Sequence, residues 1–322
     1  IMSSDWSSDV CSSDLKSISL AKSIVGGKTG PGSILSANSD LEEKIRICDL
    51  AIDYLQYLYS KKKIEKQEYL PLFLDLLKVR SLLGQSNDAS WKNQIPPTPD
   101  EGHDSARLKI GVGLREGNLF QEISFRPANH DILDNSDGYI PGAQIVFFDT
   151  TLRYYPSSEQ FQLQRLNAID ILSLSPVDPL FKPKSWKIRT GLKRDIFENE
   201  DDERLIFELN FGGGYAFEKQ PWGISYVFLE SDLNLGGILE DDHALGFGAS
   251  IGWLKSFENI SRLHVFVRNI YYPVGDRHNL FEFGFAQDFT VDKNISMRFE
   301  IISRNTRSNH IEEGTVSWNW YF

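Results

Sequence analysis

From Ser105 to the end of the chain, large apolar residues occupy every second position. Leu108, Ile110, Val112 and Leu114 alternate with Arg107, Lys109, Gly111 and Gly113. Leu245, Phe247, Ala249, Ile251 and Trp253 alternate with Gly246, Gly248, Ser250 and Gly252. Ile295, Met297, Phe299 and Ile301 alternate with Ser296, Arg298 and Glu300. A period of two belongs to an extended strand whose two faces meet different surroundings. Such runs predict strands near 105–116, 118–127, 143–155, 160–172, 185–197, 204–218, 222–236, 244–257, 261–272, 279–291, 295–304 and 311–322. Apolar side chains on one face, with small or charged ones on the other, suit a wall between lipid and a polar lumen. Closure is required because an open sheet edge cannot stay unpaired in lipid. The expected fold is mainly β: an antiparallel transmembrane β-barrel of about 12 strands preceded by a helical pair.

The last predicted strand carries Val316, Trp318, Trp320 and Phe322 on one face, and the sequence stops on that last aromatic. It resembles the membrane-insertion signal of bacterial outer-membrane proteins, and so predicts outer-membrane lipids and the barrel-assembly machinery as partners. It is also expected to be an authentic C-terminus and the strand that closes the barrel. With that end periplasmic, the short turns at 218–221 and 291–294 fall inside, together with two long connections, 127–142 and 173–184. The acidic stretches 198–203 and 240–242 are then expected outside.

Ahead of the barrel the period lengthens. Leu41, Ile45, Cys48, Ile52, Leu55 and Tyr59 form one helical stripe, with a capping-box pattern at Ser39-Asp40-Leu41-Glu42. A second helix is expected over 64–83, stopped by Gly84 and with Pro71 inside it. Cys48 lies in the first stripe and reads as a packed small hydrophobe. Glycines and serines make 16–38 a flexible lead-in, and 86–104, with its prolines, a linker. Residues 5–15 resemble a translated sequencing adaptor. Residues 1–15, Cys11 among them, are therefore expected to be foreign, with the biological chain starting mid-gene near Lys16.

Composition narrows the function classes. No run of eighteen apolar residues occurs and mean hydropathy is negative, which excludes a bundle of membrane helices. A net charge of −11 argues against nucleic acid. Two cysteines suit an oxidising envelope compartment without requiring one.

The inward face is expected to carry Arg107, Glu122, Arg126, Arg153 and Arg298, with Lys109, Lys187, Arg189, Glu208, Arg268, Glu282 and Glu300. Mixed signs predict a lumen crossed by salt bridges, because long charged side chains can nearly fill a barrel of this size. His103, Asp104 and Ser105 hold the residue types of a hydrolytic triad, but adjacent side chains on an extended segment diverge. A catalytic reading therefore sets His103 or Ser105 against His130 or Asp131 from the long connection, for general acid–base work. The bland reading is a polar cap on the first strand. Asp241-Asp242-His243 reads as a surface loop, and Gly212-Gly213-Gly214 as a bend or close packing in the lumen. No cofactor or metal site is expected.

Several blocks occur in order: Glu101-Gly102-His103-Asp104-Ser105-Ala106-Arg107-Leu108, Phe125-Arg126-Pro127, His130-Asp131-Ile132-Leu133-Asp134, Gly138-Tyr139-Ile140-Pro141-Gly142, Leu152-Arg153-Tyr154-Tyr155, Gly275-Asp276-Arg277-His278 and Trp320-Tyr321-Phe322. Together they resemble the C-terminal part of the Lnb-like envelope proteins (domain of unknown function 4105). The resemblance implies a Gram-negative outer-membrane barrel that follows helices and an N-terminal periplasmic domain, the latter missing here. The function it implies is an anchor for that domain, itself non-catalytic, with the helical segment periplasmic. The alternative is an outer-membrane hydrolase or small-solute pore with a site near His103, Arg126 and His130. A soluble lipid- or ligand-binding protein is a further reading, but it calls for the opposite polarity of faces.

Overall fold

The computed structural model describes residues 12–84, 98, 100–197, 199–257, 260–307 and 309–322. The chain divides into two compact units: a helical one (residues 1–95 and 178–182) and a β one (96–177 and 183–322).

The helical unit holds α1 (Ser12–Val25), α2 (Ser33–Ser36), α3 (Leu41–Ser60) and α4 (Lys66–Leu83). The cap of α3 is Asp40, whose carboxylate accepts from the Glu43 N–H at 2.7 Å, one residue later than the capping-box pattern places it. In the predicted stripe Ile45, Cys48 and Leu55 are buried, while Leu41 and Tyr59 at the two ends are exposed. Cys48 is free, and its Sγ–H points at the Leu76 carbonyl at 3.5 Å. Burial pushes this thiol up to about 11. Helix α4 contains Pro71 and ends at Gly84, whose φ of 74° suits glycine. Residues 16–38, expected to be flexible, instead contain most of α1 and all of α2. Ala21, Ile24 and Ile34 join one buried cluster with α3, α4 and Leu180. Their apolar spacing outweighs the glycines and serines around them. Of the adaptor-like stretch, residues 1–11 lie outside the described residues, as does most of the linker (85–97 and 99).

The β unit is one closed antiparallel sheet. Its strands are β1 (Arg107–Arg115), β2 (Asn118–Arg126), β3 (Ala128–His130), β4 (Ala143–Tyr155), β5 (Gln160–Ser173), β6 (Ser185–Phe197), β7 (Asn199–Lys219), β8 (Gly223–Leu235), β9 (His243–Phe257), β10 (Ser261–Gly275), β11 (His278–Asp292), β12 (Ile295–Thr306) and β13 (Asn309–Tyr321). Each long strand pairs with its long neighbours, β1 pairs with β13, and β2 pairs with β4. Twelve long strands therefore complete a ring, matching the sequence expectation, while the short β3 adds only three pairs beside β4. The β2–β4 seam is brief, Gln121–Phe125 against Tyr154–Thr150.

Face alternation follows the pattern in the sequence. On β13, Thr315, Ser317, Asn319 and Tyr321 are buried in the lumen, while Val316, Trp320 and Phe322 are exposed outside and Trp318 is half-buried. Ile110, Val112, Phe211, Leu229, Phe247, Ile251 and Ile301 are likewise exposed on the outer wall. Backbone bonds between Phe322 and Ala106, at 3.0 and 3.2 Å, complete the β1–β13 seam. Inside, aromatics lie over glycines: a Cβ at Gly252 would strike the Tyr226 ring, and one at Gly284 the Phe266 ring. The acidic stretch 198–203, expected as an outer connection, is corrected in part, since 199–203 continue β7. Asp241 and Asp242 form a short 3₁₀ turn before β9. Gly212–Gly214 lie within an unbroken β7, where Gly214 faces the Val227 carbonyl too closely for a side chain.

Candidate functional site

Strand direction groups the connections 127–142, 174–184, 220–222 and 293–294, with Ile260, at the end of the barrel that carries Phe322. The first of these folds into the lumen. Asp131 shapes it: its Oδ1 accepts from the Leu133 N–H at 2.8 Å and its carbonyl from the Asp134 N–H at 3.0 Å. Gly138 and Gly142 supply φ of 76° at the return. Ile132 and Leu133 pack with Leu172, Leu174, Ala216, Ile224, Tyr226, Phe228 and Leu254, so one side of the segment lies against β5 and β7–β9.

The other side presents Asp134, fully buried, to β1, β2, β12 and β13. Its Oδ1 accepts from Arg298 Nη2 at 3.0 Å and from the Tyr321 hydroxyl at 2.8 Å. Its Oδ2 accepts from the Asp131 N–H at 2.9 Å and lies 2.7 Å from Arg126 Nη1. That last contact is an ion pair by distance only; none of Arg126's guanidinium nitrogens makes a well-aimed hydrogen bond. Asp131 bridges Arg107 Nη1 (3.4 Å) and Arg298 Nη1 (3.1 Å), and Asp149 takes Arg107 Nη2 at 3.1 Å. Arg262 from β10 donates to Asn135 Oδ1 at 2.8 Å and to Ser136 Oγ at 3.2 Å. Burial alone would raise the Asp134 carboxyl, but Arg126, Arg107 and Arg298 outweigh it and hold it well below the usual range. Asp131 is depressed for the same reason, chiefly by Arg298 against its own burial. The segment is thus stitched to both sides of the barrel at this mouth, and is referred to as the seal.

His103 and His130 sit within the seal. His103 Nδ1 lies 2.6 Å from the Asp104 carbonyl, which can only accept, so this nitrogen carries the proton. His103 Nε2 then accepts from His130 Nδ1 at 3.0 Å. Tyr139 stacks on both rings, with centroids at 4.8 and 4.2 Å. Burial lowers the pKa of both imidazoles, His130 to about 4, with Asp134 only partly offsetting it. They are a neutral pair at ordinary pH.

Of the catalytic candidates, the fold brings together His103, His130 and Asp131, with Arg126 beside them, but leaves Ser105 exposed on the chain leading into β1. His103 is 1% exposed and His130 6%, so both imidazoles are buried. His103, His130 and Asp134 do bring donor atoms within 4.8 Å of one another, a set that could hold a metal ion. Both Asp134 oxygens, however, already meet two donors each, and three arginines surround them, which opposes a dication.

Arg107, Glu122, Arg126, Arg153 and Arg298 all point inward and are buried, the first, third and last of them against the seal and the other two beyond it. Glu122 pairs with Lys109 at 2.7 Å and with Arg153 at 2.8 Å, and the Arg153 guanidinium lies 4.0 Å from the Phe120 ring centre. Across the lumen Glu230 pairs with Lys187 (2.6 Å) and Arg268 (2.9 Å), and Glu208 with Lys193 (2.9 Å). Within this network lies a cavity of about 20 Å³, room for about one water molecule. Asp134, Arg262 and Tyr321 were not foreseen as site residues. The sequence offers Asp134 only within the His130-Asp131-Ile132-Leu133-Asp134 block, three residues after Asp131 at the close of an Asx-type turn.

Comparison with known proteins places the chain among domains without an assigned function. No curated protein matches it. Among solved structures it is similar to a KdgM porin in complex with disordered oligogalacturonate (8% identity, TM-score 0.37, covering 67% of this chain and 99% of that one). It is also similar to the NanC porin (7%, 0.40, 67% and 100%) and to an outer-membrane channel from Pseudomonas putida F1 (7%, 0.41, 74% and 100%). Identities this low speak to chain form alone, and the barrel is read from its own pairings. Residues 9–90 match the profile of a domain of unknown function, DUF7842. Residues 96–321, the whole barrel with its seal, match the profile described as domain of unknown function (DUF7840), and the chain belongs to that family.

Proposed function

We propose that this chain is a sealed outer-membrane barrel that anchors a helical periplasmic module and does not itself conduct or catalyse. The observation that carries this is the 127–142 segment, bonded to β1, β2, β10, β12 and β13 on one side and packed on β5 and β7–β9 on the other. The exposed apolar outer wall supports lipid as its surroundings. The anchoring role is supported by chain continuity: the helical unit includes residues 178–182 of the β5–β6 connection as well as the N-terminal helices. The resemblance to Lnb-like envelope proteins favours the same arrangement.

Purified protein in planar bilayers is expected to show no stepwise conductance, and a heat-modifiable shift on detergent gels. Conductance by the intact protein would overturn the anchor in favour of the second reading, a small-solute pore. That reading draws on one fact: the seal is a connection rather than wall, so its displacement would open the lumen. Absence from outer-membrane fractions would remove both.

A further inference from the structure

The lumen above the seal carries a site that the anchoring role does not use. We propose that it binds one small inorganic anion of halide size, entering from the mouth opposite Phe322. The 20 Å³ cavity is walled by five cationic side chains, Arg165, Arg189, Lys193, Arg268 and Arg304, against three carboxylates, Asp195, Glu208 and Glu282. Carboxylates behind the wall satisfy some of the cations: Asp170 holds Arg189 at 3.0 Å, and Glu230 holds Arg268 Nε at 2.9 Å. Two groups are left over. Arg165 reaches a carboxylate only at 3.6 Å, on Glu208, whose other oxygen Lys193 already holds at 2.9 Å. Arg268, with a side chain 7% exposed, keeps Nη2 without a hydrogen-bond partner; Asp232 lies 3.2 Å away but off its N–H direction. A buried guanidinium N–H left unbonded is costly, and both arginines line the cavity in which the anion would sit.

Size and access set the ligand class. The cavity takes about one water-sized body, which admits chloride or bromide and excludes bulky organic anions. Arg165 and Arg189 are 28% and 35% exposed, so solvent reaches the site. The opposite mouth is the route, since the other is sealed below.

The test uses the full chain in detergent micelles. Urea unfolding is followed in sodium chloride and in sodium gluconate at matched ionic strength. A ligand that binds only the folded state raises the midpoint with concentration and then saturates. Chloride is expected to do so and gluconate not, and Arg165→Gln is expected to abolish the difference. Equal midpoints in the two salts, or an undiminished chloride response in Arg165→Gln, would overturn the site. Should that variant fail to fold, crystals of the unaltered protein soaked in bromide decide: an anomalous peak between Arg165 and Arg268 supports the site, and its absence refutes it. Neither result depends on whether the barrel conducts.

Discussion

Asp134→Asn removes the charge at the centre of the seal and almost nothing of its volume. Arg298 would keep Asp288 at 2.9 Å and Asp131 at 3.1 Å, and Arg107 would keep Asp149 at 3.1 Å. Arg126 would keep no carboxylate, only the Tyr321 ring at 6.0 Å, because Asp134 is its one carboxylate within 4 Å among the described residues and its side chain is 0% exposed. Breaking a buried pair from one side costs about 3–5 kcal/mol, since the surviving charge stays dehydrated. Most of that cost is the orphaned buried guanidinium, so removing it as well with Arg126→Met should recover most of the loss. The seal can also detach while the strands remain paired, because local opening needs less than global unfolding. The assay is therefore double: tryptophan fluorescence during urea unfolding in micelles, and limited proteolysis mapped to 127–142. Asp134→Asn is expected to lower stability by several kcal/mol or to expose that segment to protease. A loss below about 1 kcal/mol with the segment still protected would refute the argument, as would a double variant no better than the single.

Three further outcomes are expected. His130 has a folded pKa of about 4 against an ordinary 6.5, so on acidification the unfolded state takes up a proton first. Stability should be full above pH 6.5 and fall by up to about 3 kcal/mol towards pH 4, with His103 adding in the same sense; urea midpoints that stay flat from pH 8 to 5 would contradict this. The depressed Asp131 and Asp134 carboxyls add their own loss only below about pH 4. Gly252→Val drives a side chain into the Tyr226 ring and should cost about 1–3 kcal/mol by overpacking, whereas Ile251→Val on the outer face should cost about 1 or less; similar unfolding midpoints would show that the lumen yields. Cys48, buried with its thiol near 11, should resist maleimide at pH 8 until the protein is denatured, as mass spectrometry of its peptide can check.

The barrel was legible because lipid and lumen impose opposite demands on neighbouring residues, and Leu245–Trp253 of β9 and Thr315–Tyr321 of β13 print that alternation. Alternation also identified the inward charges, since Arg107 and Arg298 fall on the small-residue face of their strands. Two features were not legible. Residues 16–38 read as loose because Gly26, Gly27, Gly30 and Gly32 dominate the eye, yet Ala21, Ile24 and Ile34 suffice to pack α1 and α2. Asp134 escaped notice because its value depends on where a turn delivers it. Four partners from β1, β2, β12 and β13, up to 187 positions away, converge on one carboxylate only after the sheet has closed. Nothing periodic marks such a residue. His103 and His130 were easier to suspect, being scarce residue types flanking a long connection, and the fold buries both against Tyr139.

Chain order adds a consequence of the Asp134 contacts. The sealing segment is synthesised before β4, but the groups that fasten it include Arg298 and Tyr321, from the last two strands. A nascent chain must therefore carry this acidic turn, with its Ile132 and Leu133, unlatched until the final hairpin arrives. Latching then reports completion: a barrel lacking its closing strand would keep a protease-sensitive turn at its mouth. The aromatic terminal strand is in this sense a keystone as well as a seam.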